Sequence, residues 1–162
     1  MSFVLDSSCL IYLGKLKILE KLKVIEGNKY IPEEVFNEVI RKGFLRGESE
    51  VKYIEDLIGK KELIIKNPKE RLENSGKLSL ADIDVISLAK EIKATPIIDD
   101  EEASLLAEFY GVDCHGSIYL LILLANKKAI SKKEALNCID KMITLGFYLS
   151  NEIYKEVIEK LK

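Results

Sequence analysis

A chain of 162 residues with 48% hydrophobic and 32% charged side chains is one ordinary folded domain, which excludes a disordered tail and leaves no room for a second full-sized domain. Its 25 basic and 27 acidic residues give a net charge of -2, so no overall basic field marks it as a nucleic-acid binder. Clustered carboxylates can nevertheless meet phosphate through a bound cation.

Phe3-Val4-Leu5 is a short apolar strand ending on Asp6, and Ser7-Ser8 offer hydroxyl caps for a helix carrying Leu10, Ile11, Leu13 and Ile18. A second extended piece over residues 29 to 31 leads into Pro32. The helix Glu33 to Lys42 then presents Val35, Phe36, Val39 and Ile40, with Glu38 beside that stripe and Gly43 as its stop. Within Glu48 to Gly59, the spacing of Val51, Ile54, Leu57 and Ile58 is helical, and Leu63-Ile64-Ile65 reads as a buried strand. Asn67 to Lys77 is a polar loop containing Pro68, Ser75 and Gly76.

Ser79 to Ile92 is a helix with Ile83, Ile86 and Ala89 inward, and Thr95 to Ile98 is a strand ending on Asp99-Asp100. The helix from Glu101 buries Ala103, Leu106, Ala107 and Tyr110 and ends at Gly111. Val112 to His115 gives a last short strand. Three helices close the chain, over Ser117 to Asn126, Lys132 to Leu145 and Asn151 to Lys162; a Ser131–Glu134 capping box opens the second and Gly146 stops it. Short buried strands alternating with helices predict an α/β domain whose parallel sheet is covered on both faces.

The three cysteines, Cys9, Cys114 and Cys138, are far apart and suggest neither a disulfide framework nor a zinc site, which fits a reducing cytoplasm. The start MSFVLDSS lacks the positive region of a signal peptide, and the longest apolar run, Ile118 to Ala125, is far short of the roughly 20 residues of a membrane span. No membrane association is expected. Abundant Lys and Glu with no Trp is a composition seen in hyperthermophile proteins.

Ligands of open parallel sheets bind beyond the carboxyl ends of the strands, where strand order reverses. Two strands end there on aspartate, Asp6 and the Asp99-Asp100 pair. Crowded carboxylates repel unless they are protonated or share a divalent cation, and Mg²⁺ and Mn²⁺ favour such hard oxygen donors. That is the chemistry of phosphodiester hydrolysis. Each acid alone has a structural explanation. Asp6 can cap a helix, Asp82 can form a capping box with Ser79, Glu38 can be a solvated helix residue, and Asp99 to Glu102 can favour a helix dipole.

Taken in order, VLDSS at 4 to 8, EEVFNEV at 33 to 39, LSLADIDVISLA at 78 to 89 and IIDDEE at 97 to 102 resemble the successive acidic motifs of PIN domains. The segments GVDCHGSIYLLILLANKKAI and ITLGFYLSNEIYKEVI are similar to the C-terminal part of a prokaryotic, mainly archaeal branch of PIN-domain proteins related to VapC-type toxins. The resemblance implies a single PIN-like domain over 1–162, a three-layer α/β/α fold with a mostly five-stranded parallel sheet. It implies Asp6 as central metal ligand, Glu38 and Asp82 as the next acids, Asp99 or Asp100 as the fourth, and Ser7 at the small hydroxyl position. Asp84 is a substitute or assistant for Asp82, although the two cannot point the same way on one helix.

The activity so implied is that of a Mg²⁺- or Mn²⁺-dependent endoribonuclease acting on RNA, the toxin of a toxin–antitoxin pair with a small antitoxin protein as partner. The competing expectation is a non-catalytic RNA-binding or assembly module that keeps the fold. His115 is the only histidine, which excludes a histidine relay or a multi-histidine metal site. Lysine groups at 15 to 23, 60 to 61 and 127 to 133 are solvated faces or guides for an RNA backbone. The run Ile118 to Ala125 is apolar on every helical face, which places it centrally in the core or in a homodimer contact, the reading favoured here because relatives in the resembled family often dimerise.

Overall fold

The computed structural model describes residues 1–162 except Ser75, which belongs to the expected loop over Asn67 to Lys77 and lies outside the described residues. In chain order the elements are β1 (Phe3–Leu5), α1 (Ser7–Lys15), a 3-10 segment (Leu19–Val24), β2 (Lys29–Ile31), α2 (Glu33–Phe36), a π-helical segment (Asn37–Arg41), α3 (Lys42–Leu45), α4 (Val51–Gly59) and β3 (Ile64–Ile65). They continue with α5 (Leu80–Ile92), β4 (Thr95–Ile97), α6 (Glu101–Phe109), α7 (Ser117–Asn126), α8 (Lys132–Thr144) and α9 (Asn151–Leu161).

The strands form one parallel sheet in the order β3-β2-β1-β4. β1, with Phe3, Val4 and Leu5 all buried, is central, as a strand apolar on both faces must be. The chain steps outward from β1 to β2 to β3 and then returns to the other side of β1 as β4. The order therefore reverses between β1 and β4, and the two aspartate-bearing strand ends become neighbours.

The described sheet has four strands, not five. Val112 to His115 contributes only a bridge between Ile97 and His115. Pro96 supplies the reason. Its carbonyl accepts from the His115 N–H at 3.1 Å, and the Ile98 N–H donates to the His115 carbonyl at 2.8 Å. Residue 96 thus turns its amide toward the would-be fifth strand, where proline has no N–H to extend the ladder. β3 is an edge strand, and Ile65 is 40% exposed rather than buried.

α2, the π segment and α3 run on without a break, so Gly43 does not stop this helix. It is buried inside α3, where a Cβ would stand 2.8 Å from Cγ2 of Val51. Glycine is required there by the close approach of α4. α1 is shorter than expected, because Lys17 turns left-handed (φ 54°) and Ile18 enters the core from the following turn. α7 buries Ile118, Leu120, Leu121, Leu124 and Ala125 against the 3-10 segment, α8 and α9 of its own chain. Most of its apolar surface is thus covered within the domain, while Tyr119, Ile122 and Leu123 are half-buried. Each fully buried leucine there contributes about 1.5–3 kcal/mol. Among the described residues no helix is long and apolar enough to cross a membrane, and Cys9, Cys114 and Cys138 are free.

Candidate active site

Asp6 follows β1 directly and is 3% exposed. Its extended backbone (φ -81°, ψ 172°) makes it the N-cap of α1, and one carboxylate oxygen accepts from the Cys9 N–H at 2.7 Å. The other accepts from the Asp99 N–H at 3.0 Å, across the β1–β4 junction. The capping explanation and the site explanation thus hold together. Capping alone would leave the second oxygen to solvent, whereas here it ties the two strand ends.

Asp99 turns its side chain into the same corner. Its carboxylate accepts from the Ser8 hydroxyl at 3.0 Å, the Ser117 N–H at 2.7 Å and the Ser117 hydroxyl at 2.5 Å. Gly116 keeps this approach open, since a Cβ there would lie 3.1 Å from Oδ1 of Asp99. Asp100, one residue on, is the exposed N-cap of α6 and accepts from the Ala103 N–H at 2.9 Å. The pair therefore divides the work: Asp99 faces Asp6, and Asp100 faces outward beside Asp82.

Asp82 stands in the first turn of α5, where Ser79 caps the helix through the Asp82 N–H at 3.2 Å and donates its hydroxyl to the Asp82 carboxylate at 3.0 Å. Glu38 sits in the π segment, which inserts an extra residue into the helix and shifts the direction of the side chains that follow. Its carboxylate accepts from the Ser7 hydroxyl at 2.6 Å. Asp84 is elsewhere. It is buried on the other side of α5 in a two-point pair with Arg71, Nε to Oδ1 at 2.6 Å and Nη2 to Oδ2 at 3.0 Å, so it neither replaces nor assists Asp82.

The electrostatics show how closely the remaining acids are gathered. Burial, then the Asp99 carboxylate and more weakly that of Asp82, push the Asp6 carboxyl up to about 8, against the opposing pull of the two N–H groups it accepts from. Asp82 is also raised, by burial and by the charges of Asp100 and Glu38, although Ser79 works against the shift. The same negative field, after burial, raises the Cys9 thiol behind Asp6. Among the described residues every ion pair lies outside this group of acids. The structure thus brings Asp6, Asp99, Asp82, Asp100 and Glu38 to one end of the sheet, with no cationic side chain paired to them.

Among the described residues no three or more histidine, cysteine, aspartate or glutamate side chains are gathered tightly enough to enclose a metal ion by themselves. The donor chemistry still fits a hard divalent cation. All donors are oxygen, the charge is uncompensated, and Mg²⁺ is commonly held by one or two carboxylates with water and substrate phosphate completing its shell. Ser8, Ser117 and Gly116 were not legible as site residues in the sequence. The one available signal was the Gly-Ser step opening α7 just after the last extended piece, at the sheet's carboxyl end. His115 takes no part in the acid cluster and stacks on Tyr119 with ring centroids 3.9 Å apart.

Residues 2–162 match a family described as PIN domain, DUF3368. Among solved structures, a PilT N-terminus domain protein, SSO1118, from the hyperthermophilic archaeon Sulfolobus solfataricus P2 is similar in fold, with a TM-score of 0.56 and 19% identity over 78% of this chain and 93% of that one. A domain of a functionally unknown protein from Methanocaldococcus jannaschii DSM 2661 aligns with a TM-score of 0.49 and 18% identity over 71% of this chain and 89% of that one. No curated protein matched the chain.

Proposed function

The chain belongs to the PIN-domain family, and from that premise we propose that it is a Mg²⁺- or Mn²⁺-dependent endoribonuclease. PIN domains are generally nucleases and generally use divalent metal ions. The observation that carries the reading to this chain is the buried Asp6 carboxyl, linked to Asp99, with neither acid in an ion pair among the described residues. A buried carboxyl crowded by other acids resists ionisation, and a divalent cation at the strand-order reversal would relieve that crowding.

Asp6, Asp82 and the Asp99-Asp100 pair would hold the metal, which when bound supplies charge stabilisation at phosphate and lowers the pKa of a coordinated water. The protein's own groups do the positioning. Ser8 and Ser117 fix the Asp99 carboxylate, Ser7 fixes Glu38, and Glu38 and Asp82 offer oxygens to accept a proton from an attacking water at the open side of the pocket. A role as the toxin of a toxin–antitoxin pair, with a small antitoxin protein covering the site, and homodimer formation belong to the same proposal. They rest on the likeness of the motifs to VapC-type proteins.

The test is cleavage of single-stranded RNA in Mn²⁺ by wild type and Asp6→Asn, with a thermal shift in Mn²⁺ as a companion measurement. Mn²⁺-dependent cleavage lost in Asp6→Asn, with the fold retained, is the expected result. Undiminished cleavage by that variant, or in excess chelator, sinks the proposal. One observation favours a second reading, a non-catalytic RNA-binding or assembly module: both oxygens of Asp6 and of Asp99 already accept hydrogen bonds within the protein. That reading predicts RNA binding indifferent to chelator, and no cleavage.

A further inference from the structure

Several large apolar side chains are left open to solvent, among them Phe44, Phe109 and Tyr148, at 74%, 79% and 86% exposure. Phe109 ends α6, at the far end of that helix from Asp100, and Phe44 lies beyond the end of the π segment that carries Glu38. Tyr148 differs, because two independent paths lead from the acidic pocket to it.

The first path runs along α1. Ser8 donates to Asp99 at 3.0 Å, and Tyr12 follows on the same helical face one turn later, about 6 Å up the axis. The Tyr12 ring meets Phe147 edge to face, centroids 5.2 Å apart at 86°. Phe147 immediately precedes Tyr148. The second path runs through the closing helices. α7 starts at Ser117 on the Asp99 carboxylate, and α8 packs against α7 after the short connection 127–131. Helices so joined run antiparallel, so the C-terminal end of α8 returns toward the level of Ser117. The segment after α8, turned by Gly146 (φ +105°) and ended by the Ser150 cap of α9, therefore returns toward the end of α7 that holds Asp99.

There the chain holds an edge-to-face aromatic pair with a third, solvent-facing aromatic beside it. Phe147 is half-buried and fixed by Tyr12, whereas Tyr148 makes no comparable commitment and shows its ring to solvent. An exposed aromatic on a braced turn, at the same end of the fold as the acids proposed to cleave phosphodiesters, suits one occupant: an unpaired base of the strand being cut. Stacking on aromatic rings is how proteins grip single strands without reading their sequence. We propose that Tyr148, braced through Phe147 and Tyr12, is a stacking platform for an unpaired base of the RNA strand whose backbone enters the acidic pocket, and so restricts the substrate to single-stranded RNA. The proposal rests on the nuclease reading of that pocket.

The experiment uses the full chain and a short RNA carrying 2-aminopurine, whose fluorescence is quenched on stacking, as a single strand and annealed to its complement. Binding is read in Mn²⁺ with Asp6→Asn and in chelator with wild type, and each is repeated with Tyr148→Ala and Tyr148→Phe. Cleavage is read separately with Asp6 intact. The expected result is quenching with the single strand, weakened about tenfold by Tyr148→Ala and restored by Tyr148→Phe, with a matching rise in KM and little change in kcat. The duplex should show no such dependence. Absence of quenching in both conditions, or Tyr148→Ala affecting single strand and duplex alike, overturns the platform, including the case in which a protein partner covers Tyr148 instead. Quenching with the expected Tyr148 dependence but no cleavage would retain the platform and reject the nuclease reading.

Discussion

Two aspartates of this chain are almost equally buried, Asp84 at 2% exposure and Asp6 at 3%, and they are treated in opposite ways. Asp84 receives the Arg71 guanidinium in a two-point pair, with Glu34 a further 3.8 Å contact of the same arginine. It also belongs to a set of ties that fasten the segment after β3 onto α5: Leu72 N–H to the Ser87 hydroxyl at 2.9 Å, and Lys69 N–H to Glu91 at 2.7 Å. Asp6 receives only backbone N–H groups, and its nearest charged neighbours are acids. Burial alone therefore does not distinguish a structural acid from a chemical one. The sign of the nearest charge does, and by that criterion Asp84 is a fastener and Asp6 is the acid on which the proposed metal site turns.

The largest expected effect that separates the two regions is on activity. Asp6→Asn preserves an N-cap, since asparagine caps as well as aspartate, yet RNA cleavage in Mn²⁺ should fall by about 10²–10³ or more. Asp84→Asn should leave Mn²⁺-dependent cleavage within a few-fold of wild type. Equal losses in the two variants, measured as kcat/KM on one RNA, would erase the distinction.

The next effect is on stability against pH. The Asp6 carboxyl stands at about 8 in the folded chain against an ordinary value of 3.8, so between these values the unfolded chain has released a proton that the folded chain keeps. Stability from this group is full below the lower value and is lost as pH rises toward the upper one, and raised Asp82 acts in the same direction. Denaturant midpoints of the metal-free protein should therefore decline between those two values more than those of Asp6→Asn. Mn²⁺ stabilisation should grow over the same window, since ionised carboxylates bind it better. A flat difference between wild type and Asp6→Asn across that range contradicts the account.

On the other side of the comparison, Arg71→Ala leaves Asp84 buried without its cation. A broken buried pair costs about 3–5 kcal/mol. Because Arg71 is 48% exposed and solvent screens the pair, about 2 kcal/mol is the expected loss in urea unfolding, with the Mn²⁺-induced shift unchanged.

Much of this contrast could be read in the sequence, and the rest fails for identifiable reasons. Apolar runs that end on Asp6 and on Asp99-Asp100 mark strand ends directly, and the alternation of strands with helices places them in one parallel sheet. Which of Asp99 and Asp100 faces inward depends on Ser8 and Ser117, which lie 91 and 18 residues away from Asp99 and which no periodicity connects to it. The approach of Glu38 depends on a π turn, and helical spacing assumes that no such residue is inserted. The Asp84–Arg71 pair spans a polar loop whose path has no hydrophobic pattern to follow. α7 shows the limit from another side: an all-round apolar helix must be covered, but its pattern cannot say whether its own chain or a second copy does so. Pro96, by contrast, carried a readable warning that the fifth strand could not form a full ladder.

The smallest predicted effect compares one hydroxyl in each region. Ser87 is buried in α5, where its hydroxyl accepts from the Leu72 N–H and donates to the Ile83 carbonyl at 2.6 Å. Ser87→Ala leaves a backbone N–H without a partner, so a loss of about 1–2 kcal/mol in urea unfolding is expected, with cleavage unaffected. Ser7, half-buried at the start of α1, donates to Glu38 alone. Water can replace that hydrogen bond in Ser7→Ala, so stability should change by less than about 0.5 kcal/mol. Glu38, however, would lose the contact that fixes its direction on the π turn, and kcat should fall a few-fold without a matching change in KM. A Ser7→Ala variant that unfolds more easily yet cleaves normally would move Ser7 and Glu38 out of the chemical region and into the same category as Arg71 and Asp84.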